Sequence, residues 1–215
     1  MAKQEIGDLE QIRQKLEGWL ASRIPNVEDF TLGELNFPEF SGESSVTLIM
    51  EANWQEAGRA RHERFVLRMA PIISQVFETH DLKLQYQLME VMNKEGIPAP
   101  SLVGYESDSS LLGSDFYVMD FVDGIVPPDN PPMAFGSWVS ELTTEERATM
   151  WHNGLTTMAK IHQIDIRQYD LPSLEESPAD QSPLAHEITR YEGMMKQGMR
   201  EKADPIILEA WQYLK

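Results

Sequence analysis

Arg61-His62-Glu63-Arg64-Phe65-Val66-Leu67-Arg68-Met69-Ala70 opens the stretch, running to Gly124, whose reading decides the fold. Phe65-Val66-Leu67 spells an apolar strand, and Arg68 closes it with a cation. Leu84, Leu88 and Val91 then recur at helical spacing between about 81 and 93, with Leu82, Tyr86 and Met89 beside them. That stripe is wide enough to cover a sheet. Gly96 and Pro98 end the helix. Phe116-Tyr117-Val118-Met119-Asp120-Phe121 is a further apolar strand, and Val122-Asp123-Gly124 leads out of it.

The flanks extend the same pattern. Upstream, Val46 to Trp54 pairs with His62 to Met69 as a hairpin around Gln55-Glu56-Ala57-Gly58-Arg59, and Phe30, Leu32, Leu35 and Phe37 suggest a short strand. Leu9, Ile12, Leu16, Trp19 and Leu20 predict an opening helix, with Asp8 and Gln11 resembling a capping box and Pro25 as its stop. The fold class is therefore α+β with an antiparallel sheet. Between the first two strands, Phe40-Ser41-Gly42-Glu43-Ser44-Ser45 has residues small enough for backbone N–H groups to approach a phosphate. Taken alone, the segment also reads as a plain surface turn, since it matches neither glycine-rich phosphate-loop pattern.

The proline-rich passage from Val126 to Met133 continues neither helix nor central strand, which divides the chain into a lobe over 1–122 and a second part over 123–215. Thr143 and Glu146 predict a capping box, and Ala148, Trp151, Leu155, Met158 and His162 predict a long buried helix. Residues 170–182 read as loop, with helices near Leu184–Arg200 and Pro205–Leu214.

Composition narrows the classes. The 215 residues carry 18 Lys and Arg against 35 Asp and Glu, a formal charge of -17, which disfavours nucleic acid and anionic membrane surfaces as partners. There is no cysteine, so neither a disulfide nor a thiolate nucleophile is available. No signal-like apolar segment or membrane-spanning run is apparent, and a cytoplasmic protein is expected. Asp120 and Asp123 read as strand-end and turn residues before they read as a metal pair, and His162 as a hydrogen-bonded structural histidine before a catalytic base. No serine lies in a Gly-x-Ser-x-Gly turn.

Taken together, Phe65-Val66-Leu67-Arg68-Met69-Ala70-Pro71, Tyr86-Gln87-Leu88-Met89, Gly96-Ile97-Pro98-Ala99-Pro100 and Leu112 through Gly124 resemble the aminoglycoside phosphotransferase-like family, closest to the branch found fused to acyl-CoA dehydrogenases. Ala159-Lys160-Ile161-His162-Gln163-Ile164-Asp165 is similar to that family's helix-end motif. The resemblance implies a protein-kinase-like fold with an ATP site. Ser41, Gly42, Ser44 and Ser45 would lie over the phosphates, Arg68 would be the phosphate-contacting cation, Val66 would flank the base, and Met119, Asp120, Phe121 and Val122 would form the hinge.

Three departures qualify what the resemblance implies. Arg68 stands where many kinases have lysine, and Gln85 where the helix often supplies a glutamate, leaving Glu90 as an alternative partner. No His-Gly-Asp or His-Arg-Asp motif occurs among the 215 residues, nor a later Asp to hold Mg²⁺. The expected parent is an ATP- and Mg²⁺-dependent kinase acting on a small hydroxylated substrate and continuing past Lys215. The chain by itself is expected to be inactive and prone to self-association through uncovered helices. A non-catalytic, pseudokinase-like nucleotide-binding scaffold is the alternative.

Overall fold

The first helix begins where a side-chain oxygen can replace missing backbone partners. Asp8 accepts from the Glu10 N–H at 2.9 Å and opens α1, Leu9–Arg23. Gln11 donates its amide to the Asp8 carboxylate at 3.4 Å, so the expected reciprocal box is a one-sided cap. This computed structural model describes residues 7–38, 45–70, 81–127, 132–133, 135–172, 174, 177–199 and 204–214.

Five antiparallel strands form one sheet: β1 Val27–Leu32, β2 Val46–Glu56, β3 Arg59–Met69, β4 Leu102–Glu106 and β5 Phe116–Asp120. Their spatial order is β1-β2-β3-β5-β4. Glu56 pairs with Arg59, leaving Ala57-Gly58 as the two-residue hairpin turn, with φ of 49° and 72°. Positive φ at both positions is what a type I′ turn needs, and its twist matches that of the flanking strands. The strand β4 was not legible in the sequence reading.

Between β3 and β4 lies α2, Leu82–Lys94, capped by Asp81 accepting from the Leu84 N–H at 2.7 Å. Its end is a Schellman motif. The Ile97 N–H reaches the Met92 carbonyl at 2.9 Å and the Gly96 N–H reaches that of Asn93 at 3.3 Å, with Gly96 at φ 68°. The predicted stop at Gly96 therefore has a specific backbone cause.

Strand alternation separates two faces. Val46, Leu48, Met50, Ala52 and Trp54 of β2, Phe65, Leu67 and Met69 of β3, and Phe116 and Val118 of β5 are buried with Ile12, Leu16, Trp19 and Leu20 of α1. Each large side chain removed from water there contributes about 1.5–3 kcal/mol. Trp19 meets Phe116 edge-on at 5.0 Å and donates to the Glu106 carboxylate at 2.9 Å. Gly104 makes room for it, since a Cβ there would lie 3.3 Å from the indole. The opposite face of the sheet carries α2 and the candidate site.

A short helix α3, Ser109–Leu112, precedes β5; α4, Trp138–Glu141, and α5, Thr144–His162, follow it. The Thr143–Glu146 capping box forms as expected. The expected burial of α5 does not. Trp151, Leu155 and Met158 are 57%, 56% and 49% exposed, because no other described element of the 1–171 unit covers the stripe. Residues 1–171 form one compact unit and 172–215 another. The second contains α6, Pro183–Met199, and α7, Pro205–Leu214, close to the predicted spans. Ser182 and Asp204 side chains accept from the first-turn N–H groups of Ala185 and Ile206 at 3.2 and 2.9 Å.

Candidate functional site

On the sheet face away from α1, β3 presents Arg64, Val66 and Arg68 in alternation. Ile49 and Thr47 stand opposite Val66 and Arg68 on β2, and Met119 and Tyr117 opposite the same two on β5. The result is an apolar strip with a guanidinium at each end. The two arginine Cα atoms are about 13 Å apart along the strand.

Arg68 is half-buried, and its Nη2 donates to the hydroxyl of the buried Ser45. Its Nε is buried and has no hydrogen-bond partner among the described residues. A buried donor left unpaired costs roughly 1–3 kcal/mol, which marks this end of the strip as polar and unsatisfied among the described residues. Neither Gln85 nor Glu90 forms an ion pair with Arg68 among the described residues. The glutamate–cation pair raised as a possibility in the sequence is thus replaced by something else.

The replacement is aromatic. Tyr86 of α2 packs against Tyr105 of β4 and Tyr117 of β5, at 5.7 and 5.9 Å between ring centroids. The Tyr117 hydroxyl also approaches the Met89 sulfur at 3.9 Å. Burial pushes the Tyr117 phenol upward, and the Arg68 guanidinium beside it pulls it partway back. Burial, and then a 2.9 Å hydrogen bond donated to Asp115, push Tyr105 up to about 12. Both hydroxyls therefore stay protonated at neutral pH.

At the other end of the strip, β5 runs out at Asp120. The Asp120 N–H donates to the Ser101 carbonyl and the Phe121 N–H to the Arg64 carbonyl, both at 2.9 Å. Of the four expected hinge residues, Val122 has both backbone groups without partners among the described residues, and its side chain is 64% exposed. The Arg64 guanidinium lies 3.6 Å from the Phe121 ring centroid and donates to Asp123 at 2.8 Å.

Ser45, Val66, Arg68 and Met119 thus share one face, with Asp120, Phe121 and Val122 at its edge. Ser41, Gly42 and Ser44 lie outside the described residues. Asp123 pairs with Arg64. His162, expected as a hydrogen-bonded structural residue, is instead exposed in the last turn of α5, and its imidazole makes no hydrogen bond among the described residues. The contributions of Arg64 and of the three tyrosines escaped the sequence reading. The spacing Arg64-x-Val66-x-Arg68 was the available signal, because alternate strand residues share a face. Among the described residues no three His, Asp or Glu side chains are grouped as metal ligands. No described helix is long and apolar enough to cross a membrane.

Residues 53–214 match the phosphotransferase enzyme family. The chain belongs to that family. This phosphotransferase-family chain is 27% identical over 164 residues to acyl-CoA dehydrogenase family member 11 of Gallus gallus, covering 76% of the chain and 19% of that protein. It is 24% identical over 159 residues to the Rattus norvegicus protein of the same name, covering 74% and 18%. The chain thus spans about a fifth of the length of these relatives. A crystal structure described as an aminoglycoside phosphotransferase, from Ralstonia eutropha, superposes with a TM-score of 0.56 at 20% identity, covering 93% of this chain and 51% of that one. The fold of this phosphotransferase-family chain is accordingly the kinase-like α+β one expected.

Proposed function

We propose that this chain is the nucleotide-binding part of an ATP-dependent phosphotransferase whose acceptor is a small hydroxylated molecule. The observation that carries the reading is Arg68: a guanidinium without a carboxylate partner among the described residues, its Nε unsatisfied, beside the apolar strip of Val66 and Met119. A triphosphate joined to a flat apolar base complements that arrangement, with the phosphates at Arg68 and Ser45 and the base toward Val122. Mg²⁺, when bound with the nucleotide, would offset phosphate charge.

These 215 residues hold no His-Gly-Asp or His-Arg-Asp motif, and the described ones no cluster of metal ligands. Binding without transfer is therefore the expected behaviour of the chain alone, which also supports the reading of a non-catalytic nucleotide-binding scaffold. Saturating Mg-ATP should raise the thermal midpoint, since ligand at a hundred times its Kd adds about 2.7 kcal/mol. An assay of acceptor-dependent ADP release should stay at background. No shift would sink the ATP site, and ADP release would sink the inactivity.

The uncovered stripe of α5 supports self-association. Trp151, Leu155 and Met158 repeat at four and three residues and expose apolar surface on one side of the helix. Light scattering should show a mass that rises with concentration, and Trp151→Gln with Leu155→Gln should return it toward one chain. A monomer at all concentrations before substitution would remove this proposal.

A further inference from the structure

The two cations on the β3 face have different surroundings. Arg68 is held by one neutral hydroxyl. Besides its place opposite Glu51 in the β2–β3 ladder, Arg64 makes three contacts to the segment that leaves β5: its carbonyl takes the Phe121 N–H at 2.9 Å, its guanidinium covers the Phe121 ring at 3.6 Å, and its Nη1 donates to Asp123 at 2.8 Å. These contacts fall on both sides of Val122, whose N–H and carbonyl are unpaired among the described residues. Beyond Asp123 come Gly124 and then Pro127, and no described helix or strand begins until Trp138.

No described helix or strand therefore orients the Val122 peptide groups. A backbone donor and acceptor recognise a base edge only when their directions are fixed before the ligand arrives, since ordering them on binding costs conformational entropy. The ion pair alone is too exposed to hold them, with Asp123 87% exposed, but a ring stack and a backbone bond from the same residue make it one side of a clamp.

We infer that Arg64 is a positioning residue for the purine end of the site, holding the Val122 peptide groups at the end of the Val66–Met119 strip, while of the two arginines only Arg68 faces the phosphates. The inference rests on the nucleotide-binding reading above. It predicts that substitution at Arg64 separates base recognition from phosphate recognition, which a general loss of stability does not.

The experiment is calorimetric titration of the 215-residue chain with ATP and, separately, with inorganic tripolyphosphate. Arg64→Ala should weaken ATP about tenfold and leave tripolyphosphate within about twofold. Arg64→Lys, which keeps the charge but not the planar stack, should recover part of the loss. Asp123→Asn leaves β3 untouched and should give a smaller loss of the same selectivity, which keeps the test open if Arg64→Ala does not fold. Unchanged ATP affinity in both Arg64→Ala and Asp123→Asn, or parallel loss of both ligands in the folded variants, overturns the role of Arg64. If the unsubstituted chain binds tripolyphosphate as well as ATP, the nucleotide reading itself fails, and this inference with it.

Discussion

Arg68→Ala is expected to remove most of the affinity for Mg-ATP while leaving the fold intact. The guanidinium is the cation at the phosphate end of the strip, and its Nε has no partner among the described residues that would be orphaned by truncation. Hydrogen bonds to a charged group contribute about 1.5–3 kcal/mol each, so losing one weakens binding by roughly ten- to 150-fold and losing two by more. Unfolding stability should fall by only about 1 kcal/mol, because truncation removes the donor to the buried Ser45 hydroxyl but breaks no ion pair among the described residues. Arg68→Lys restores charge without the planar fork and should fall between. Titration calorimetry on the three proteins, with denaturant melts as a control, decides the matter. Equal ATP affinity in Arg68→Ala would place the phosphates elsewhere.

How much of this was legible beforehand depends on which interaction dominates each segment. The hairpin, α2, β5 and the last two helices were readable because local signals agree with tertiary packing: Ala57-Gly58 supplies the turn, Asp81 the cap and Gly96 the stop. The strand β4 was hidden because Pro100 precedes it and Gly104 interrupts its alternation. That glycine is explained by the indole of Trp19, from a helix more than eighty residues earlier, which is contact information no local pattern carries. The three-and-four stripe of α5 was read correctly as helix and wrongly as buried, since periodicity reports that a face is apolar and not what covers it.

The same division applies to the site. Arg68 and Val66 come from the family resemblance as expected site residues, and strand alternation alone suffices to put them on one face. The aromatic contacts of Tyr86 needed the crossing of α2 over β4 and β5, and Arg64 needed the path of the chain after Asp120. A pairing of α2 with the cation was looked for in charge, at Gln85 and Glu90. The helix is instead fixed to the sheet by ring packing, which does not depend on the ionisation of either partner.

Phe116→Ala should have the largest effect on stability. The ring is fully buried, lies edge-on to Trp19 at 5.0 Å, and sits on β5 between β3 and β4, opposite Met69 and Glu106. Truncating a buried phenylalanine costs about 3–5 kcal/mol from lost transfer energy plus the cavity left behind. Against a typical domain stability of about 5–15 kcal/mol, that is about a fifth of the total or more. Because Phe116 and Tyr117 are adjacent on one strand, their side chains lie on opposite faces, and the cavity opens toward α1 and not toward Arg68. Tyr117→Phe, which loses only the contact with the Met89 sulfur, should cost under about 1 kcal/mol. Urea unfolding should show the Phe116→Ala midpoint falling at unchanged slope. Below its melting temperature the variant should still bind Mg-ATP within about threefold, since each fold loss of ten would need about 1.4 kcal/mol at the site itself. A midpoint close to the parent would mean that α1 does not seal this face. A tenfold loss of affinity in the folded variant would mean that the two faces of β5 are coupled, and that the core under the sheet sets the position of Arg68.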